Sequence, residues 1–160
     1  MTVASLLVGL ALAALMLAIA VADWRRFRVP NPLTAAALAL RGVDILTGGS
    51  GPAGPAFVEA FVRGFVMAAL FYVFRSLYRR VRGREGLGLG DVKLAGVAGA
   101  WVDWPMLPLV VEVAAVLGLA VALFRAARSG AGLRADTRLP FAVGFAPAIF
   151  MGWQVGRLNF

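Results

Sequence analysis

The chain contains no cysteine and no histidine. The first absence rules out disulfides and thiol nucleophiles, and the two together rule out the usual zinc ligand sets. No metal site and no cofactor is expected. Acidic residues are scarce too: 8 Asp+Glu stand against 16 Lys+Arg, for a net charge of +8. Proton chemistry therefore falls mainly to a few carboxylates, to Lys or to Tyr.

What the chain has in abundance is apolar surface. Of its 160 residues 61% are hydrophobic, and the mean hydropathy is +0.85. Soluble domains run at roughly 45–50% apolar. The length fits a single domain, residues 1–160. In a soluble protein the basic excess would suggest nucleic acid. Here the basic residues cluster beside apolar runs, which reads as membrane topology. The expected partner is the lipid bilayer, not nucleic acid, and the oligomeric state is left open.

Thr2 to Ala22 is uncharged and long enough to span a bilayer. Ala20-Val21-Ala22 resembles a signal-peptidase site, but no Lys or Arg precedes the segment. Arg25, Arg26 and Arg28 follow at once. The positive-inside rule keeps them in the cytoplasm, so the first helix is expected to stay and to deliver Asp23 to its cytoplasmic end. At Val29-Pro30-Asn31-Pro32, Pro30 biases the residue before it away from helix, Asn31 is suited to capping, and Pro32 fits a first helical position. A second helix is predicted from Leu33 to about Thr47, a third over Ala56–Phe74, a fourth from Val92 to about Trp104, a fifth over Met106–Phe124 and a sixth from Leu139 to about Gly156. Gly96 and Ala100 give the fourth a small-residue face for close helix contact, while Trp101 and Trp104 are expected at the outer interface. Pro140 and Pro147 are placed to break or kink the sixth.

The arginines sort by side. Segments 25–28, 75–84 and 125–138 hold 12 of the 16 basic residues, and the two proposed outer loops hold none. The expected fold is all-α: a polytopic membrane protein with about six transmembrane helices and both termini outside. Its location is then a membrane, with the basic segments on the cytoplasmic side.

The stretch Gly88-Leu89-Gly90-Asp91-Val92-Lys93-Leu94 stands out. Glycines let backbone come close to whatever lies beside Asp91. Read plainly, Asp91 is a helix N-cap among loop glycines. An acidic residue next to lipid is also a functional hypothesis in itself. The topology brings Asp23 and Asp91 to one membrane side from different helices. Paired carboxylates are a minimal kit for peptide hydrolysis: one, ionised, takes a proton from water, and the other, protonated, polarises the scissile carbonyl. Asp91 opens a helix and Asp23 closes one, so the dipoles put the shared proton on Asp23.

Asp23-Trp-Arg-Arg-Phe-Arg-Val-Pro-Asn31 and Gly88-Leu-Gly-Asp91-Val-Lys-Leu94 resemble the two signature regions of type IV prepilin peptidases. These are polytopic aspartic proteases of the Gly-x-Gly-Asp type. The resemblance implies that Asp23 and Asp91 are the catalytic pair and that Gly88 and Gly90 are the motif glycines. It implies removal of a basic leader from prepilin or pseudopilin-like substrates, at the cytoplasmic face. Longer members carry a cysteine-rich insertion and also methylate the new N-terminus. This chain resembles the short tight-adherence form, so methylation is not expected. The late Pro140-Phe141 usually continues with glycine, but here Ala142 follows and the glycine is Gly144.

Two other classes compete. A small proton-coupled transporter would use intramembrane Arg41, Asp44, Glu59, Arg63 and Glu112 as a relay, although no inverted repeat is visible. A noncatalytic subunit of a pilus or secretion assembly would need none of these residues. Depth counting from the helix ends places Asp44 and Arg63 at one level, which predicts a pair across the second and third helices. The competing arrangement is local, Arg41 with Asp44 and Glu59 with Arg63.

Overall fold

The structure is a computed structural model that describes residues 3–48, 52–83, 86–129 and 141–158. Among these residues there are six α-helices, one 3₁₀ turn and no strand: α1 Val3–Arg26, α2 Asn31–Gly48, α3 Ala53–Arg82, α4 Leu89–Trp101, the 3₁₀ turn Trp104–Met106, α5 Leu107–Ser129 and α6 Phe141–Leu158. Three segments are long and apolar enough to cross a membrane: Val3–Arg26, Ala53–Arg82 and Trp104–Arg128. Their outward faces carry Leu10, Phe61 and Leu119, each more than half exposed. Apolar side chains left open over whole helix faces suit lipid rather than water. The protein is an all-α, multi-pass membrane protein.

The bundle is built around its shortest main helix. α4 has 13 residues, eight of them buried. At ~1.5 Å per residue it reaches only about 20 Å, against a ~30 Å hydrocarbon core. It packs on α2, α3, α5 and α6. The expected small-residue face is real: Gly96 and Ala100 lie against Gly64 of α3. A helix enclosed in this way can end short of the membrane surface, because its polar ends meet protein rather than lipid.

Several boundaries differ from the sequence reading, each for a physical reason. The third helix does not stop at Phe74 but continues through the arginines to Arg82. Arginine is a good helix former, and nothing in that run breaks a helix until Gly83. Gly83 takes φ 67° and donates its N–H to the Arg79 carbonyl at 3.0 Å. The fourth helix starts and ends three residues early, at Leu89 and Trp101. Its chain turns extended at Val102 and Asp103, and Pro105 sits in the 3₁₀ turn that follows. Trp101 therefore points into the core rather than marking the outer interface. It is 2% exposed, and its Nε1 donates to the Ala37 carbonyl at 2.9 Å. Its ring meets Trp153 edge-on at 5.7 Å. Trp104 is exposed. In α6, Pro147 lies inside a helix that runs on to Leu158; Leu139 and Pro140 lie outside the described residues.

Candidate active site

Asp23 occupies the last turn of α1 and is buried. The helix ends there on Phe27, which adopts φ 50° and donates its N–H to the Asp23 carbonyl at 2.9 Å. A bulky residue in that left-handed region costs roughly 1–2 kcal/mol. Stacking offsets the strain: the Arg125 guanidinium lies 4.8 Å from the Phe27 ring and 4.6 Å from the Trp24 ring. Arg125 also lies within electrostatic reach of Asp23. Asp23 Oδ2 accepts the Ala142 N–H at 3.0 Å, and the Val143 N–H is directed at the same carboxylate. Both belong to the first turn of α6, where backbone donors have no partner within their own helix.

Asp91 lies in the first turn of α4, but it is not the N-cap. Gly88 holds that position, with φ −76° and ψ 154°, and Asp91 is three residues further on. Its Oδ2 accepts the Gly88 N–H at 3.0 Å, the reach-back half of a capping box. The motif glycine Gly90 has a steric reason. A Cβ there would stand 2.9 Å from Cγ2 of Val29, in the turn between α1 and α2.

The bundle thus gathers the C-terminus of α1 and the N-termini of α4 and α6 at one end. Asp23 and Asp91 sit there within electrostatic reach of each other. The two sequence-predicted carboxylates and the two motif glycines converge. Asp23 closes α1, as the dipole argument has it, but α6 also presents its N-terminus to Asp23 as α4 does to Asp91. Each carboxylate accepts a backbone N–H from a helix start, which offsets part of the helix-end asymmetry between them.

Four contributors were not visible in the sequence. Ala142 acts through its backbone N–H, so no side-chain signal existed. Arg125 reads as one more topology arginine until its ring contacts are seen. Arg75 is buried, and its Nε donates to the Leu87 carbonyl at 3.0 Å, fastening α3 to the loop ahead of Gly88. Lys93 Nζ donates to Asn31 Oδ1 at 2.6 Å. Asn31 was expected to cap its own helix and reaches across to α4 instead.

The predicted Asp44–Arg63 pair is not formed. Asp44 pairs with Arg41 and, at 3.3 Å, with Arg157 of α6. Arg63 pairs with Glu59 and, at 3.2 Å, with Asp103, and its Nε donates to the Gly99 carbonyl at 3.1 Å. The local alternative holds on both helices, with a third partner added to each. These groups form closed ion pairs at the end opposite Asp23 and Asp91, and Glu112 is exposed on α5. Apart from Glu112 they form one cluster, with Arg41 within electrostatic reach of Arg63 and Asp103. Among the described residues, no group of three or more metal-ligating side chains converges.

Residues 10–123 match the model of the type IV leader peptidase family. The chain is similar to three relatives, each named a prepilin leader peptidase/N-methyltransferase. That of Burkholderia pseudomallei (strain 1026b) is 40% identical over 102 residues, covering 61% of this chain and 32% of the relative. That of Aeromonas salmonicida (strain A449) is 32% identical over 112 residues, covering 70% and 37%. That of Pectobacterium carotovorum subsp. carotovorum is 33% identical over 151 residues, covering 94% and 50%. The chain therefore spans half or less of the length of these relatives. No solved structure matches it. With the matched region running from α1 to the last third of α5, and both aspartates inside it, the chain belongs to the type IV leader peptidase family.

Proposed function

We propose that the protein is a membrane aspartic endopeptidase that removes the basic leader of type IV prepilin or pseudopilin-like substrates. Asp23 and Asp91 activate the water. One carboxylate, ionised, takes a proton from water as the oxygen attacks the scissile carbonyl. The other, protonated, donates to the carbonyl oxygen, giving a gem-diol. The first carboxyl then passes its newly gained proton to the leaving nitrogen as the C–N bond breaks, and the second takes a proton back from the gem-diol hydroxyl, which restores the pair. Two nearby carboxylates resist ionising together, which leaves one proton on the pair.

The observation that carries this reading is the convergence of Asp23 and Asp91. They come from α1 and α4, at one end of the bundle, each held by a backbone N–H from a helix start. That same end carries Arg25, Arg26, Arg79, Arg80, Arg82 and Arg128. By the positive-inside rule it faces the cytoplasm, so cleavage takes place at the cytoplasmic face of the inner membrane. The second activity in the relatives' names is not proposed for this chain. The test is direct. The purified protein, in detergent or vesicles, is incubated with a peptide that has a basic leader ahead of an apolar segment. Mass spectrometry should find a single cut at that junction. An intact peptide, across several such leaders, would count against the reading.

A further inference from the structure

The two helices that carry the aspartates do not pack on each other in any extended way. α1 packs on α2 and α6, while α4 packs on α2, α3, α5 and α6. Something between them must set the distance between Asp23 and Asp91. One candidate is the turn from Phe27 to Asn31, which begins four residues after Asp23. It touches α4 at two points that bracket Asp91. Val29 fills the space where Gly90 lacks a Cβ, at 2.9 Å. Asn31 Oδ1 accepts from Lys93 Nζ at 2.6 Å, across 62 residues of sequence.

The second contact is unusual on both sides. An asparagine at a helix start normally caps its own helix, yet this one serves another helix. Lys93 is the only lysine among the chain's 16 basic residues. It lies at the arginine-rich end, but it is engaged with a neutral amide. A lysine carries three donors on a long flexible stem, which suits a bond that bridges two helix starts. Arginine would bring a planar fork that one amide oxygen cannot fill.

Resting on the two-aspartate reading, we propose that Asn31 and Lys93 are positioning residues: their bond fastens the α1–α2 turn to α4 and so sets the separation of Asp23 and Asp91. Neither need touch substrate. A small misplacement of reacting groups is costly, since about 1 Å can lose roughly 100-fold in rate.

The test uses the full chain and one cleavable prepilin-like peptide. Asn31→Ala and Lys93→Ala should each lower kcat by about 10- to 100-fold with KM nearly unchanged. The double variant should fall no further than the worse single, because both remove the same bond. Asn31→Asp keeps an acceptor and should retain most of the activity. A Lys93→Ala variant that raises KM and leaves kcat intact would instead make Lys93 a substrate contact and overturn the proposal. So would a double variant whose loss is the product of the two singles. A second readout needs no activity. The chain has no cysteine, so spin labels at Arg26→Cys and Leu89→Cys are the only labels present. Their distance distribution should broaden in Asn31→Ala and Lys93→Ala and stay narrow in Asn31→Asp. An unchanged width in the alanine variants refutes the positioning role. If Asp23→Asn and Asp91→Asn both still cut, the two-aspartate reading fails, and the label distances still judge the tie by themselves.

Discussion

At Gly144 the backbone of α6 lies close against that of α5, and filling it should disturb the site from a distance. A Cβ at this position would stand 2.7 Å from the Ala114 carbonyl oxygen, 2.7 Å from the Gly118 nitrogen and 3.0 Å from the Leu117 Cβ. Two of these atoms are helix backbone and cannot rotate away. To reach an ordinary contact of 3.4 Å the helices must part by roughly 0.7 Å. Passed on in full to Ala142, a shift of that size is enough to spoil the geometry of its 3.0 Å bond to Asp23. Overpacking of this kind costs about 1–3 kcal/mol, and alanine's better helix propensity returns up to about 1 kcal/mol. Gly144→Ala should therefore be destabilised by up to about 2 kcal/mol and lose about 10- to 100-fold in cleavage rate. Gly42→Ala is the control. Its Cβ would meet the Phe57 ring at an ordinary 3.5 Å, so it should be neutral or slightly stabilised. The assays are denaturant unfolding in detergent and peptide cleavage by mass spectrometry. If Gly144→Ala matches Gly42→Ala in both, the α5–α6 spacing does not hold Ala142 against Asp23.

Trp101→Phe removes the donor to the Ala37 carbonyl and should cost about 1 kcal/mol in unfolding free energy, with cleavage unchanged because the bond lies at the far end of α4. Asp44→Asn leaves Arg41 and Arg157 without their carboxylate. Both arginines are partly exposed, so unfolding should show a loss of about 1–3 kcal/mol, below the roughly 3–5 of a fully buried broken pair. Cysteines introduced at Ser50 and Ser76 should label from opposite sides of the membrane, with Ser76 cytoplasmic; labelling from the same side would end the proposed topology.

Much of this arrangement was legible from residue order. Long apolar runs and clustered arginines gave the helices, and the two motif regions gave Asp23, Gly88, Gly90 and Asp91. What stayed hidden depends on three dimensions. The Ala142 N–H is the same in every residue but proline, so no letter announces it. Asp44 and Arg157 are 113 residues apart and meet only because the last turns of α2 and α6 end near enough for the arginine side chain to reach. The Asp44–Arg63 expectation used helix depth alone, without rotation about the axis, and rotation decides which side chains meet. The run of arginines after Phe74 resembles a loop on charge alone, yet arginine propagates a helix well, and α3 runs through it to Arg82. Tryptophan's preference for the interface points Trp101 outward on sequence grounds, whereas the enclosure of α4 by α2, α3, α5 and α6 buries it.

The central claim is that two carboxylates share the work. Asp23→Asn and Asp91→Asn are close in volume to the native side chains and still accept a backbone N–H through the amide oxygen, so both variants should fold. Each is assayed for cleavage of a prepilin-like peptide alongside the native protein. The account predicts that either substitution alone abolishes cutting while substrate binding persists. Cutting at the native rate by either variant would contradict it.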